Sequence, residues 1–197
     1  MPSDTRSRLL HSALWRFYRD GFRNVGLDQI YDEVGISKTA FYMHFESKDE
    51  LMVAVLDAQT SHMQDQLRDA IAKRGGDDPV QRLLAVFDLV EHYAEEPGFK
   101  GCIFVNAAIE FSLLHEPEHR AALRNKEAIE AVVRETAQAA GAPDPGVLAR
   151  ELCLVMDGAY VTRHVTARAD TVATARRIAE RVIRDHLAAK GRSSPLR

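Results

Sequence analysis

Residues 35–51 read GISKTAFYMHFESKDEL. Gly35 closes a short apolar-patterned helix over residues 27–34, and Ser37 opens a second one over residues 37–45. On a helical wheel Phe41 and Phe45 lie four apart and share a face. With Ile30, Val34 and Ile36 they are expected to pack against Leu10, Leu14 and Phe17 of the preceding helix. Lys38, Thr39, Tyr42 and Met43 project elsewhere. Ser37, Lys38 and Thr39 fall at the N-terminus, where unpaired amides and the helix dipole favour an anion such as a phosphate. Tyr42 and His44 add donors on stiff arms. SKDE, residues 47–50, fits a capping box, so Lys48 opens the next helix, again at an N-terminus. Taken singly, each lysine is also an ordinary solvated lysine and each serine an ordinary cap. Their convergence at two adjacent helix starts around a tight turn is what points to nucleic acid.

Working outward, two short helices separated by Gly35-Ile36 have the proportions of a helix-turn-helix. Upstream, Leu9, Leu10, Ala13, Leu14, Phe17 and Tyr18 recur at helical spacing until Gly21. Downstream, a long helix is expected from Ser47 to about Lys73, ended by Gly75-Gly76. Asp78-Pro79 and Asp144-Pro145 mark two helix starts, because aspartate caps free amides and proline lacks only a donor that had no partner there. Pro97-Gly98 breaks one helix, Pro117 begins another, and residues 141–143 form a loop. A final helix is expected over residues 171–189. No alternating stretch bounded by hairpin turns suggests a strand. The fold class is therefore all-α. Residues 1–46 read as a three-helix DNA-binding domain, residues 47–190 as a larger helical effector-binding and dimerisation domain, and residues 191–197 as a disordered tail.

Composition restricts the function less than the motif does. The chain of 197 residues is 46% hydrophobic and 28% charged with a net charge of −3, which suits a globular protein. Seven Lys and Arg against eight Asp and Glu in the first 52 residues give that segment a formal net of −1. DNA binding there must rest on placement of charges rather than on their sum. Two distant cysteines and a polar N-terminal stretch suggest a reducing, cytoplasmic location.

The segment at residues 35–51 closely resembles the DNA-binding signature of the tetracycline-repressor (TetR) family, which runs Gly, apolar, Ser, Lys, small residues, aromatic-Tyr, any, His-Phe and then Lys-(Asp/Glu)-x-Leu. The likeness extends back through Gly21-Phe22, Asp28 and Ile30. It implies nine helices, a homodimer and transcriptional control released by a small molecule. Carried over by position, Lys38, Thr39 and Ala40 face the major groove, while Tyr42, His44 and Lys48 hold phosphates or the adjoining base edge; Ser37 is a DNA-binding candidate from its place at the helix N-terminus. Two positions depart from the pattern. Val25-Gly26 stands where members usually carry Thr-Ser or Thr-Thr, removing a hydroxyl that touches a phosphate, and Tyr31 stands where a small residue is usual.

GCIFVNAAIE, residues 101–110, resembles a stretch of the family's regulatory domains. It puts Asn106 and Glu110 one turn apart, to bond each other or a ligand. By the same resemblance, Met63, Phe87, Tyr93, Phe104, Asn106, Glu110, Phe111 and His115 are candidate lining of an effector pocket for a hydrophobic or aromatic molecule; the same spacing also suits a plain core. The last two helices are expected to form the dimer interface through Leu148, Leu152, Val155, Met156, Ala159, Ile178, Val182 and Ile183, or to pack some of these within one chain. Cys102, at a helix N-terminus, is a candidate redox sensor or a buried inert thiol; Cys153 sits on an apolar stripe as packing.

HEPEH, residues 115–119, fits the zinc-hydrolase template H-E-x-x-H. That chemistry needs both imidazoles on one uninterrupted helix, and Pro117 disfavours it. The expected function is thus a non-enzymatic, ligand-responsive regulator, a repressor binding a palindromic operator, with no cofactor and no metal. A zinc hydrolase and a helical interaction module without a DNA role are the alternatives.

Overall fold

A computed structural model describes residues 4–74, 76 and 78–189. The expected tail at 191–197 and Gly75 lie outside the described residues. Among those described there are nine helices and no strand. The chain divides into two compact units. The first gathers the described residues of 1–61 with 103–125; the second holds those of 62–102 and 126–197.

The first unit contains α1 (Thr5–Asp20), α2 (Leu27–Val34), α3 (Lys38–Tyr42), the start of α4 (Lys48–Arg74), α6 (Ile103–Glu110) and the start of α7 (Pro117–Ala139). α1 buries Leu9, Ser12, Ala13 and Phe17, spaced to share one face. Leu10 and Leu14, expected in that core, lie at its half-buried edge. Phe17 stacks on Phe22 at 5.1 Å, and Phe22 meets Phe111 edge-on at 6.1 Å. Ser12 donates to Glu33 at 3.1 Å, and Arg16 pairs with the same carboxylate, which fixes α1 against α2. Hydrogen bonding from Arg16 holds the Glu33 carboxyl below the usual carboxylate range.

In the second unit α5 (Pro79–Ala94), α8 (Pro145–Thr166) and α9 (Thr171–Ala189) pack on one another. Asp78 and Asp144 cap α5 and α8 through the amides of Val80 (2.8 Å) and Val147 (2.9 Å), as the Asp-Pro pairs required. The later part of α4 joins α7 by a Gln64 to Ala128 bond and an Arg68–Glu135 pair at 2.9 Å. Leu148, Leu152, Met156, Ala159 and Ile183, named as interface candidates, are buried inside this one chain. Of the named candidates Ile178 on α9 is exposed, and so are Leu154, Val161 and Val165 on α8, which had not been named.

Candidate nucleic-acid interface

The turn between α2 and α3 is closed by backbone bonds that its glycine favours. Gly35 adopts φ 74 and ψ 38, a left-handed conformation that side chains with a Cβ disfavour. Its N–H donates to Asp32 O at 3.1 Å, and the Ile36 N–H to Tyr31 O at 3.0 Å. This is a Schellman closure, which satisfies the last carbonyls of α2 and turns the chain. Arg8 of α1 donates to the Val34 carbonyl at the same end.

Ser37 then starts α3, its Oγ accepting from the Ala40 amide at 3.1 Å. Phe41 is completely buried and packs on Phe45, with ring centres 5.9 Å apart. Arg6 lies over the Phe45 ring. The expected helix over 37–45 is shortened to Lys38–Tyr42. His44 bonds back only three residues, to Phe41 O at 2.9 Å, and this tighter turn ends the helix while keeping Phe45 in the core. With five residues, α3 has little dipole of its own, so any anion contact rests on side chains. Lys38 and Thr39 are exposed, Ala40 is half-buried, and Tyr42 keeps 47% of its surface. His44 is half-buried, and Met43 is the most exposed of the large apolar residues, at 81%.

Ser47 caps α4 through the Glu50 amide at 3.0 Å, while Glu50 reaches back to the Glu46 amide at 2.5 Å, one residue earlier than a capping box has it. Lys48 is half-buried and donates to the Arg23 carbonyl at 3.3 Å. Burial lowers its pKa, with Asp49 and Glu110 opposing the shift. At Gly26, where the family's hydroxyl is missing, the backbone N–H donates to Gln29 Oε1 at 3.1 Å, so α2 retains half of a capping box.

Sequence reasoning missed the group that braces this interface. Glu110, at the C-terminus of α6, accepts from the amides of Phe22 (3.0 Å) and Arg23 (2.9 Å). Arg23 returns a bond from Nε to the Glu110 carbonyl at 3.0 Å, approaches Glu116 at 3.6 Å and covers the Phe111 ring at 4.6 Å. Glu110 had been named for an effector pocket. Its partners lie 88 and 87 residues away, and nothing local in the sequence announces them.

Of the other pocket candidates, Phe104, Asn106, Phe111 and His115 belong to the first unit, and Met63, Phe87 and Tyr93 to the second. Phe87 and Phe104 are wholly buried, Met63 and Phe111 nearly so. Tyr93 donates to Gln66, and His115 is exposed. Cys102 is half-buried immediately before α6. Burial pushes the Cys153 thiol up to about 12, so it stays protonated. The HEPEH segment is not a zinc motif in space. α7 begins at Pro117, leaving His115 outside the helix that carries His119. His119 Nδ1 lies 2.8 Å from Phe111 O, and Glu116 accepts from the Leu113 amide at 2.8 Å. Among the described residues no three His, Cys, Asp or Glu are grouped to hold a metal. No helix among them is long and apolar enough to cross a membrane.

Residues 9–55 match the family model described as bacterial regulatory proteins, tetR family. Residues 79–179 match the tetracyclin repressor-like C-terminal domain. A crystal structure of a TetR-family transcriptional regulator from Streptomyces coelicolor is 30% identical, with a TM-score of 0.83, covering 93% of this chain and 96% of that one. A tetR-type regulator from Streptomyces avermitilis is 34% identical, with a TM-score of 0.73 and coverages of 90% and 99%. The HTH-type transcriptional activator FasR of Mycolicibacterium smegmatis is 38% identical over 111 residues, 54% of this chain and 48% of FasR. The chain spans about half the length of the curated relatives it matches.

Proposed function

We propose, starting from a chain that belongs to the tetR family of bacterial regulatory proteins, that it is a cytoplasmic transcriptional regulator that binds an inverted-repeat operator as a homodimer and leaves it when a small effector binds. The observation that carries the reading is the exposed tip of α3, where Lys38, Thr39 and Tyr42 stand clear of a core anchored by Phe41. Lys38, Thr39 and Ala40 read base edges; Ser37, Tyr42, His44 and Lys48 hold the backbone. Lys48 does so by exchanging the Arg23 carbonyl for a phosphate.

The dimer reading is supported by the exposed stripe of Leu154, Val161 and Val165, which includes Gly158 at the same helical spacing. A Cβ at Gly158 would meet nothing within 4 Å, so a second helix has room to approach there. Two copies would put their α3 helices about 34 Å apart, one turn of the duplex. Repression is the proposed sign, in keeping with the repressor-like C-terminal match; FasR is named an activator, and a reporter driven by the operator separates the two signs. The reading is tested by selecting bound DNA from a random duplex pool at near-physiological salt. An enriched inverted repeat bound by two chains is expected. Enrichment of a single unrepeated site would overturn the dimer, and no enrichment would overturn the regulator.

A further inference from the structure

The buried face of α7 at its start carries Glu118, Ala121, Ala122 and Asn125. Two of these four are polar, and each is only 2% exposed. Among the described residues Glu118 Oε1 and Asn125 Nδ2 have no hydrogen-bond partner. Two other buried polar side chains are satisfied: Thr136 donates to Val132 O at 2.9 Å, and Ser12 donates to Glu33. A native fold rarely leaves a buried acceptor and a buried donor unpaired on one helix face without a partner to come. Between them stand two buried alanines, Ala121 and Ala122.

The charges around Glu118 indicate which partner is missing. Burial raises the pKa of Glu118; its own backbone N–H opposes the rise, Asp49 of α4 and Glu116 of the turn before α7 add to it by repelling the charged form, and Arg23 is the one neighbouring side chain that attracts that form. Arg23 is already engaged by Glu110, Glu116 and the Phe111 ring. A buried carboxyl with two carboxylates for neighbours favours a cation. Asn125 Nδ2, seven residues on and therefore about 10 Å along the helix, calls for an acceptor.

We propose that Glu118 and Asn125 are the polar anchors of the effector site, and that the effector is a lipophilic cation bearing a hydrogen-bond acceptor such as a carbonyl or hydroxyl oxygen. The inference rests on the effector-responsive reading above and names the chemistry of that site. It also gives a short route to the DNA-reading helix. A cation seated on Glu118 competes with Arg23 for Glu116, and Arg23 holds the loop before α2 together with Glu110. Loosening that brace frees the α2–α3 pair from its bound geometry.

The test uses the full chain and three probes with one apolar body: 4-phenylbutylamine, 4-phenylbutanol and 4-phenylbutyrate. Calorimetric titration is expected to give the amine a preference of about tenfold or more over the other two. Glu118→Gln is expected to remove that preference, and Asn125→Leu to weaken 4-phenylbutanol, whose hydroxyl oxygen is the acceptor Asn125 calls for. Equal binding of the three probes, no binding of the amine, or a preference that survives Glu118→Gln would overturn the proposal. A probe-free arm melts Glu118→Met and Asn125→Leu without ligand. Each is expected to raise Tm by about 2–4 °C, because each removes an unpaired buried polar group. A fall in Tm would mean that these groups have a structural partner such as a buried water, and would contradict the assignment. The DNA selection separates the two readings. Operator enrichment without Glu118-dependent amine binding sinks only this inference; Glu118-dependent binding without enrichment sinks only the regulator.

Discussion

Helices α3 and α6 are both short and both lie in the first unit, yet they work in opposite ways. α3 buries one side chain, Phe41, half-buries Ala40 and presents Lys38, Thr39 and Tyr42 outward. α6 buries Ile103, Phe104 and Ala107 and ends on Glu110, a carboxylate at the negative end of a helix. That unfavourable position is offset by two amide donors from a loop nearly ninety residues away. Exposed function is written locally, in consecutive residues. Bracing function is written across the chain, in a residue whose partners only folding supplies.

The largest effect expected is on the buried side of α3. Phe41→Ala should destabilise the protein by about 3–5 kcal/mol, the range for truncating a fully buried aromatic, read by denaturant unfolding. A loss under about 1 kcal/mol would mean that α3 is not anchored by this ring and that the contrast with α6 is misdrawn.

Glu110→Ala tests the other arm. It strands the Phe22 and Arg23 amides and should cost about 1–3 kcal/mol. Glu110→Gln keeps an acceptor and should recover part of that loss. If both variants lose equally, charge rather than hydrogen bonding holds the loop.

Gly35→Ala asks how far the turn alone sets α3. Placing a Cβ on a left-handed backbone should cost about 1–2 kcal/mol, although nothing lies within 4 Å to clash with it. A neutral result would show that the turn relaxes without the glycine.

Lys48→Ala should be the mildest for the fold and visible mainly on DNA. Affinity should drop for all sequences, and the salt slope should fall by about 1. An unchanged slope would leave Lys48 as a brace of the Arg23 loop rather than a phosphate contact.

The helix starts were legible because Asp-Pro and Ser-x-x-Glu act within four residues, and Asp78, Asp144 and Ser47 each cap as their spacing required. The turn at Gly35 was legible for the same reason. Errors arose where two faces of one helix are both apolar. On α1 the stripe through Leu9 and Ala13 is adjacent to that through Leu10 and Leu14, and only packing chooses between them. On α8, Leu148 and Leu152 go inward while Leu154 and Val161 go outward, a choice that periodicity alone does not make. The roles of Glu110, Arg23 and Glu116 were not legible at all, since each depends on contacts between distant segments.

The central claim is that the tip of α3 reads sequence while Lys48 only holds the duplex. The most direct test repeats the random-duplex selection with wild type, Thr39→Ala and Lys48→Ala in parallel. The account predicts one inverted repeat for wild type, the same repeat with weaker binding for Lys48→Ala, and an altered preference within each half-site for Thr39→Ala. Recovery of an unaltered repeat by Thr39→Ala, or an altered one by Lys48→Ala, would contradict it.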